Sequence, residues 1–232
     1  MKTVLVTGAN RGIGREVAAQ LAGRGCHVFI GARNVAGGRE AADAIVQGGG
    51  KATFLEIDIA SEASVEKAAR EFDKLTDRLD VLVNNAAIMM LGSDHRIFLI
   101  TDEVLRTTFE TNAIGPLRMV RAFLPMLSDS PEPRIINVSS GGGQLQRPTR
   151  KGWSPGYCVS KTALNGITVQ LAHALPSFAV NSASPGWVKT RMGGPMAERT
   201  VQEGADTIVW LALDAPQSLT GKFVKDRQEI PW

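Results

Sequence analysis

The sequence predicts an α/β protein of three layers, a doubly wound parallel sheet with helices on both faces. Short apolar runs of strand length alternate with segments of helical apolar spacing from one end of the chain to the other. A glycine-rich turn joins the first run to the first helix, and no linker interrupts the alternation. Residues 1–232 therefore read as one domain.

Val4 to Thr7 is the first strand, and Ile13 to Arg24 carries Ile13, Val17 and Leu21 at helical spacing. His27 to Ala32 is the second strand. Val35 to Val46 is a helix closed by Gly48, Gly49 and Gly50. Ala52 to Asp58 follows as a strand, and Ser61 can cap a helix reaching Leu75. Val81 to Asn84 is the fourth strand. Thr101 can cap a helix over Asp102 to Phe109, and helical spacing resumes through Leu117, Val120, Phe123 and Leu124. Ile135 to Ser139 is the fifth strand. Ser154 and Pro155 start a helix as cap and first-turn proline, running to Leu175. Ala179 to Ser184, a helix over Gln202 to Leu213, and a short strand at Phe223-Val224 complete the order.

Composition narrows the function. The balance of 44% hydrophobic and 21% charged residues is that of a globular protein. A net charge of +3, spread along the chain, gives no support to nucleic-acid or membrane partners. The local excess at Arg147, Arg150 and Lys151 reads as a solvated loop. Two cysteines, Cys26 and Cys158, make no disulfide framework and suit the cytoplasm, with Cys158 read as packing. The apolar start ends too soon, at Gly8, Asn10 and Arg11, for a signal peptide, and no run suits a membrane span.

Gly8, Gly12 and Gly14 lie between the first strand and helix, with Asn10, Arg11 and Ile13. Glycines there let backbone approach a phosphate, and a helix N-terminus presents free N–H groups to it. The second strand ends at Ala32-Arg33-Asn34, where an acidic residue would grip the ribose hydroxyl of NAD. Arg33, with Arg11, instead suits the 2′-phosphate of NADP(H); the alternative is two ordinary surface arginines. Asp58, ahead of Ile59, could accept from an adenine amino group. Asn85 and Ala86 follow the fourth strand, where Asn85 could line the adenosine ribose or satisfy backbone groups.

Tyr157, the sole tyrosine, and Lys161 are four residues apart and share a helix face. A phenol near pKa 10 is a poor base, but a nearby ammonium favours phenolate. Lowering it to 7 takes roughly 4 kcal/mol, which one close charge supplies at an effective dielectric of about 20. Ser139 and Ser140 end the fifth strand, and Ser140 is the better placed to orient a substrate oxygen.

Thr7-Gly8-x-x-x-Gly12-x-Gly14, Asn84-Asn85-Ala86, Asn112, Ser140, Tyr157-x-x-x-Lys161 and Pro185-Gly186-x-x-x-Thr190 occur in the order of the short-chain dehydrogenase/reductase family, whose standard short branch this chain resembles. The resemblance implies a Rossmann fold with seven parallel strands. It implies acid–base catalysis by Tyr157 and a substrate-oxygen contact from Ser140. Lys161 would bind nicotinamide ribose and lower the Tyr157 pKa, and Asn112 would hold a relay water in a distorted helix. Pro185, Gly186, Val188 and Thr190 would hold the nicotinamide. Pro185-Gly186-Trp187-Val188 and Glu229-Ile230-Pro231-Trp232 look most like carbonyl reductases, so the expected substrate is a ketone, aldehyde or secondary alcohol.

Ala87 stands where the family usually has glycine, and the Ser140–Tyr157 separation of 17 exceeds the usual spacing. A homodimer or homotetramer is the family expectation, with the helices flanking that loop as interfaces. The segment after Thr190 is short, which predicts an open site of broad tolerance walled by Met89, Met90, Leu91, Gln144, Trp153, Trp187, Met192 and Met196. An enoyl or pteridine reductase and a non-catalytic nucleotide-binding protein are the rival readings. No metal is called for.

Overall fold

The computed structural model describes residues 1–90, 96–146 and 154–232. Strands β1 (Thr3–Thr7), β2 (His27–Ala32), β3 (Lys51–Glu56), β4 (Val81–Asn84), β5 (Arg134–Val138), β6 (Ala179–Ala183), β7 (Lys222–Lys225) and β8 (Gln228–Ile230) form one sheet in the order 3-2-1-4-5-6-7-8. The first seven are parallel and β8 is antiparallel to β7. Helices α1 (Gly12–Gly23), α2 (Val35–Gln47), α3 (Glu62–Asp73), α4 (Asp102–Phe109), α5 (Gly115–Ser128), α6 (Pro155–Ala174) and α7 (Val201–Leu213) cover its faces. No helix among the described residues is long and apolar enough to cross a membrane.

The central strands are apolar without a polar face because both their faces are covered. Val4, Val6, Val28, Ile30, Val81 and Val83 point to a core shared with Val17 and Leu21 of α1 and Ile208 and Leu211 of α7. Leu5, Phe29 and Leu82, at the alternate positions, join a second core with Phe72 of α3 and Phe123 of α5. There the rings of Phe29, Phe72 and Phe123 meet in sequence, tilted at 4.5 Å and then edge to face at 5.4 Å.

The strand order reverses between β1 and β4, so the carboxyl ends of those strands border a crevice. Thr7 and Asn85 close its floor. Thr7 Oγ1 accepts from the backbone N–H groups of Asn85 and Ala86 at 3.0 Å, and Asn85 Nδ2 donates to the Thr7 carbonyl at 2.8 Å. Glycine is required beside this lock: a Cβ on Gly14 would lie 2.4 Å from Asn85 Nδ2, and Gly8 sits at φ +65° against the Ala86 backbone.

Three sequence readings change. The sheet has an eighth strand, because Asp226 and Arg227 turn the chain with φ of 51° and 60°. That geometry matches a two-residue hairpin turn of the primed type, which normally announces itself with Asn-Gly or Asp-Gly. Here the turn is pinned instead by ion pairs, Asp226 to Arg199 at 2.6 Å and Arg227 to Asp206. Ser154 precedes α6 at φ 40°, ψ 64° and makes no side-chain cap, whereas Ser61 and Thr101 cap their helices as expected. The start of α7 is set by an unforeseen capping box between Thr200 and Glu203.

Candidate active site

A cavity of about 890 Å³ runs along the carboxyl ends of the central strands. Gly8, Asn10, Arg11, Gly12, Ile13 and Gly14 form one stretch of its wall, and Arg33, Asp58 and Ile59 another. Asn85, Ala86, Met89, Tyr157, Lys161, Pro185, Thr190 and Met192 continue it. Ends of β1 to β6 thus converge on one continuous groove.

Its charge is lopsided. Arg11, Arg33, Lys189 and Arg191 line it with Lys161, and Asp58 is the only carboxylate among the described lining residues. Arg11 also occupies the N-cap position of α1 and has no acceptor to offer the first-turn N–H groups. Partial burial, then the charges of Arg191 and Arg33, hold its guanidinium below the usual arginine range. Among the described residues none of these three arginines has an ion-pair partner. Clustered cations at an uncapped helix N-terminus fit phosphate groups. The groove therefore fits a dinucleotide whose phosphates lie along α1.

At the other end Tyr157 and Lys161 project from the first turns of α6 and are almost fully buried. Tyr157 is hydrogen-bonded to Ser140. Ser140 Oγ in turn accepts from the Gly142 N–H at 3.1 Å. Lys161 Nζ donates to the Val138 carbonyl at 2.8 Å and lies over the Tyr157 ring, 5.6 Å from its centroid.

Burial pushes the Tyr157 phenol up to about 12, against the pull of the Ser140 hydrogen bond. Burial likewise pushes the Lys161 ammonium down to about 7. The expected lowering of the phenol by the ammonium is not what this geometry produces. Lys161 packs over the ring and donates to a backbone carbonyl, and desolvation is the largest influence on both groups.

Asn112 lies in a five-residue π-turn, Glu110–Ile114, between α4 and α5. Its Oδ1 accepts from the Ile88 N–H and its Nδ2 donates to the Ile88 carbonyl, both at 2.8 Å. Nδ2 also donates to Ser160 Oγ at 3.0 Å, and Ser160 Oγ–H reaches the Tyr157 carbonyl at 2.7 Å. The carboxamide thus staples the segment after β4 to the helix that carries Tyr157.

Other expected residues fall elsewhere. Asn34 Oδ1 accepts from the Gly37 N–H, so this side chain caps α2. Val188 is buried against Gly204, and Gly186 backs onto Arg199. Both support the groove from behind rather than lining it. Gln144 Nε2 donates to the Pro231 carbonyl at 2.7 Å, tying the segment after β5 to the chain end. Trp187 Nε1 donates to the Gly193 carbonyl, and Met196 is 79% exposed, so neither lines the groove. Met90 is half-buried, and Leu91 and Trp153 lie outside the described residues. Of the expected substrate wall, the cavity takes in Met89 and Met192.

Lys189, Arg191 and Ser139 are lining residues that the sequence reading passed over or ranked second. Ser139 Oγ is buried without a hydrogen-bond partner among the described residues. The sequence held one usable signal, the cations flanking Thr190.

A family model for short chain dehydrogenase matches residues 2–209. The (+)-neomenthol dehydrogenase of Arabidopsis thaliana is 33% identical, the alignment covering 97% of this chain and 96% of that protein. Carbonyl reductase [NADPH] 1 of Sus scrofa is 31% identical, with 100% and 94% covered. Among solved structures, NADPH-bound carbonyl reductase from chicken fatty liver superposes with a TM-score of 0.89 at 26% identity, covering 100% of this chain and 99% of that one. The carbonyl reductase Sniffer of D. melanogaster also gives 0.89, at 30% identity and full coverage of both chains. A match over nearly the whole chain to a family of oxidoreductases, carbonyl reductases among them, places this protein in the short-chain dehydrogenase family.

Proposed function

We propose that this chain is an NADPH-dependent carbonyl reductase. It would reduce ketones and aldehydes and, in reverse, oxidise secondary alcohols. The observation that carries the proposal is the pair Tyr157 and Lys161 lining a cationic groove, with Ser140, itself outside the lining, hydrogen-bonded to the phenol. Carbonyl reductases among the relatives are named for NADPH, which supports the choice of nucleotide.

Arg11 and Arg33 would hold the 2′-phosphate, and the N-terminus of α1 the diphosphate. Asp58 and Ile59 would border the adenine, and Pro185 and Thr190 the nicotinamide. Lys161 would reach the ribose beside it. When bound, NADPH supplies the hydride that reduces the carbonyl carbon. Tyr157, protonated at neutral pH because burial holds its pKa near 12, donates its proton to the substrate oxygen. Ser140, already hydrogen-bonded to the phenol, orients that oxygen and stabilises the charge developing on it. Asn112 keeps the Tyr157 helix in register with the segment after β4.

Met89 and Met192 give the reacting end an adaptable wall, and the alignment to the Arabidopsis relative spans 285 positions against 232 residues here. That relative therefore carries segments this chain lacks, which favours an open site and broad substrates. Cys26 and Cys158 form no disulfide among the described residues, and the cytoplasm is the compartment we infer. A homodimer or homotetramer would cover Val159 and Val169, exposed apolar residues on α6.

The test is nucleotide oxidation against a panel of ketones, aldehydes, quinones and pterins, with NADPH and NADH side by side. Several carbonyl classes should turn over with NADPH. Activity on pterins alone would overturn the substrate class, and binding without turnover would overturn the enzyme. Arg33→Met should weaken NADPH by about 10- to 100-fold, the scale of a lost charge-assisted pair, and leave NADH unchanged. Equal losses for both would remove Arg33 from the 2′-phosphate.

A further inference from the structure

We propose that Arg191 is a diphosphate-binding residue, a guanidinium that closes over the dinucleotide from the wall opposite the glycine turn. The inference rests on the dinucleotide reading above and adds a residue that neither the glycine turn nor the end of β2 supplies.

Arg191 follows Thr190 on the strap between β6 and α7, and both residues line the groove. The strap lies directly over the glycine turn: a Cβ on Gly12 would be 3.5 Å from Thr190 Cγ2. That places residue 191 above the first turn of α1, the part of the groove suited to a diphosphate.

The strap is also held firmly. Thr190 Oγ1 accepts from the Gly193 N–H at 3.0 Å, and the Thr190 carbonyl accepts from the Gly194 N–H at 2.8 Å. Lys189 N–H donates to the Arg199 carbonyl and Arg199 N–H to the Trp187 carbonyl, so the strap closes on itself. Arg199 is ion-paired to Asp226, which anchors the strap to the β7–β8 turn.

A turn braced in this way presents Arg191 from a fixed base, although its side chain is exposed and has no ion-pair partner among the described residues. The charges of Arg191 and Arg33 both act on the Arg11 guanidinium, that of Arg191 the more strongly. Two like charges facing each other across a groove repel until an anion lies between them. A diphosphate there would relieve the repulsion and take hydrogen bonds from both.

The position distinguishes Arg191 from Arg33. Arg33 ends β2, at the 2′-phosphate end, and should sense whether that phosphate is present. Arg191 should sense the diphosphate, which NADPH and NADH share.

The experiment measures dissociation constants of NADPH and NADH by nicotinamide fluorescence, for the wild type, Arg191→Met, Arg191→Lys and Arg33→Met. Arg191→Met should weaken both nucleotides by the same factor, on the order of 10-fold for one charge-assisted contact. Arg191→Lys should recover part of that loss, and the NADPH-to-NADH ratio should move only in Arg33→Met. Constants within twofold of wild type in Arg191→Met would overturn the proposal. So would a loss confined to NADPH, which would assign Arg191 to the 2′-phosphate. A wild-type chain that binds neither nucleotide would remove the dinucleotide reading itself, and this proposal with it.

Discussion

Tyr157→Phe is expected to lower kcat by about 10²- to 10⁴-fold, the range general acid catalysis supplies, while the dissociation constant for NADPH stays within twofold. The ring is almost fully buried in α6 and keeps its packing in the variant. What disappears is one hydroxyl and its hydrogen bond to Ser140. Losing a neutral buried hydrogen bond costs roughly 1 kcal/mol, so the fold survives and the activity loss has one cause. Tyr157 is the chain's only tyrosine, so no second phenol can substitute. Turnover at the wild-type rate would take the proton donor away from Tyr157 altogether.

The direction of the phenol's shift bears on which way the reaction runs. A hydroxyl held near 12 is protonated throughout the physiological range and enters reduction ready to donate. Alcohol oxidation needs the opposite, a phenol that has already given up its proton. Lys161, pushed down to about 7, is half neutral near neutral pH. On the proposed mechanism the phenol therefore enters reduction already protonated.

Much of this was legible because parallel strands covered on both faces write themselves as apolar runs, as at Val4-Leu5-Val6 and Val81-Leu82-Val83. The glycine turn and the Tyr157–Lys161 spacing were legible because each is local. Gly14 cannot carry a Cβ beside Asn85, and residues four apart on a helix share a face. The readings that changed depend on contacts remote in sequence. The β8 hairpin is held by Arg199 and Asp206 rather than by turn residues. Gln144 is claimed by Pro231, 87 residues away, and Val188 by Gly204. Arg191 comes near Arg11 only because the strap after β6 reaches across to the glycine turn. The phenol's pKa went the other way for a related reason: spacing gives the distance between two side chains but not how much water each has lost.

That loss of water sets the second large effect. Lys161→Met, assayed without added nucleotide, should melt higher than wild type at pH 6 and no higher, or slightly lower, at pH 10. An unfolded lysine titrates near 10.4, whereas burial pushes this one down to about 7 in the folded chain. Below pH 7 both states carry the charge, and the folded state bears the full cost of burying it. From pH 7 to about 10 the unfolded state binds more protons, so wild-type stability rises with pH, by up to ~1.4 kcal/mol per unit. Methionine has similar length and no charge, so the variant escapes this dependence. It also leaves the Val138 carbonyl without its donor, a cost of about 1–3 kcal/mol at every pH. The burial cost exceeds that loss at pH 6, leaving a net gain on the order of 2 kcal/mol, or roughly 4–8 °C for a chain of this size. At pH 10 only the orphaned carbonyl remains and the sign reverses. Tyr157, raised above its unfolded value, contributes stability that fades only above pH 10 and does so equally in both proteins. The melting difference should therefore shrink from pH 6 and change sign before pH 10; a constant difference would mean that the folded amine titrates like an exposed one. On the proposed function, a chain that bears this cost keeps the amine beside its one phenol for chemistry rather than for folding.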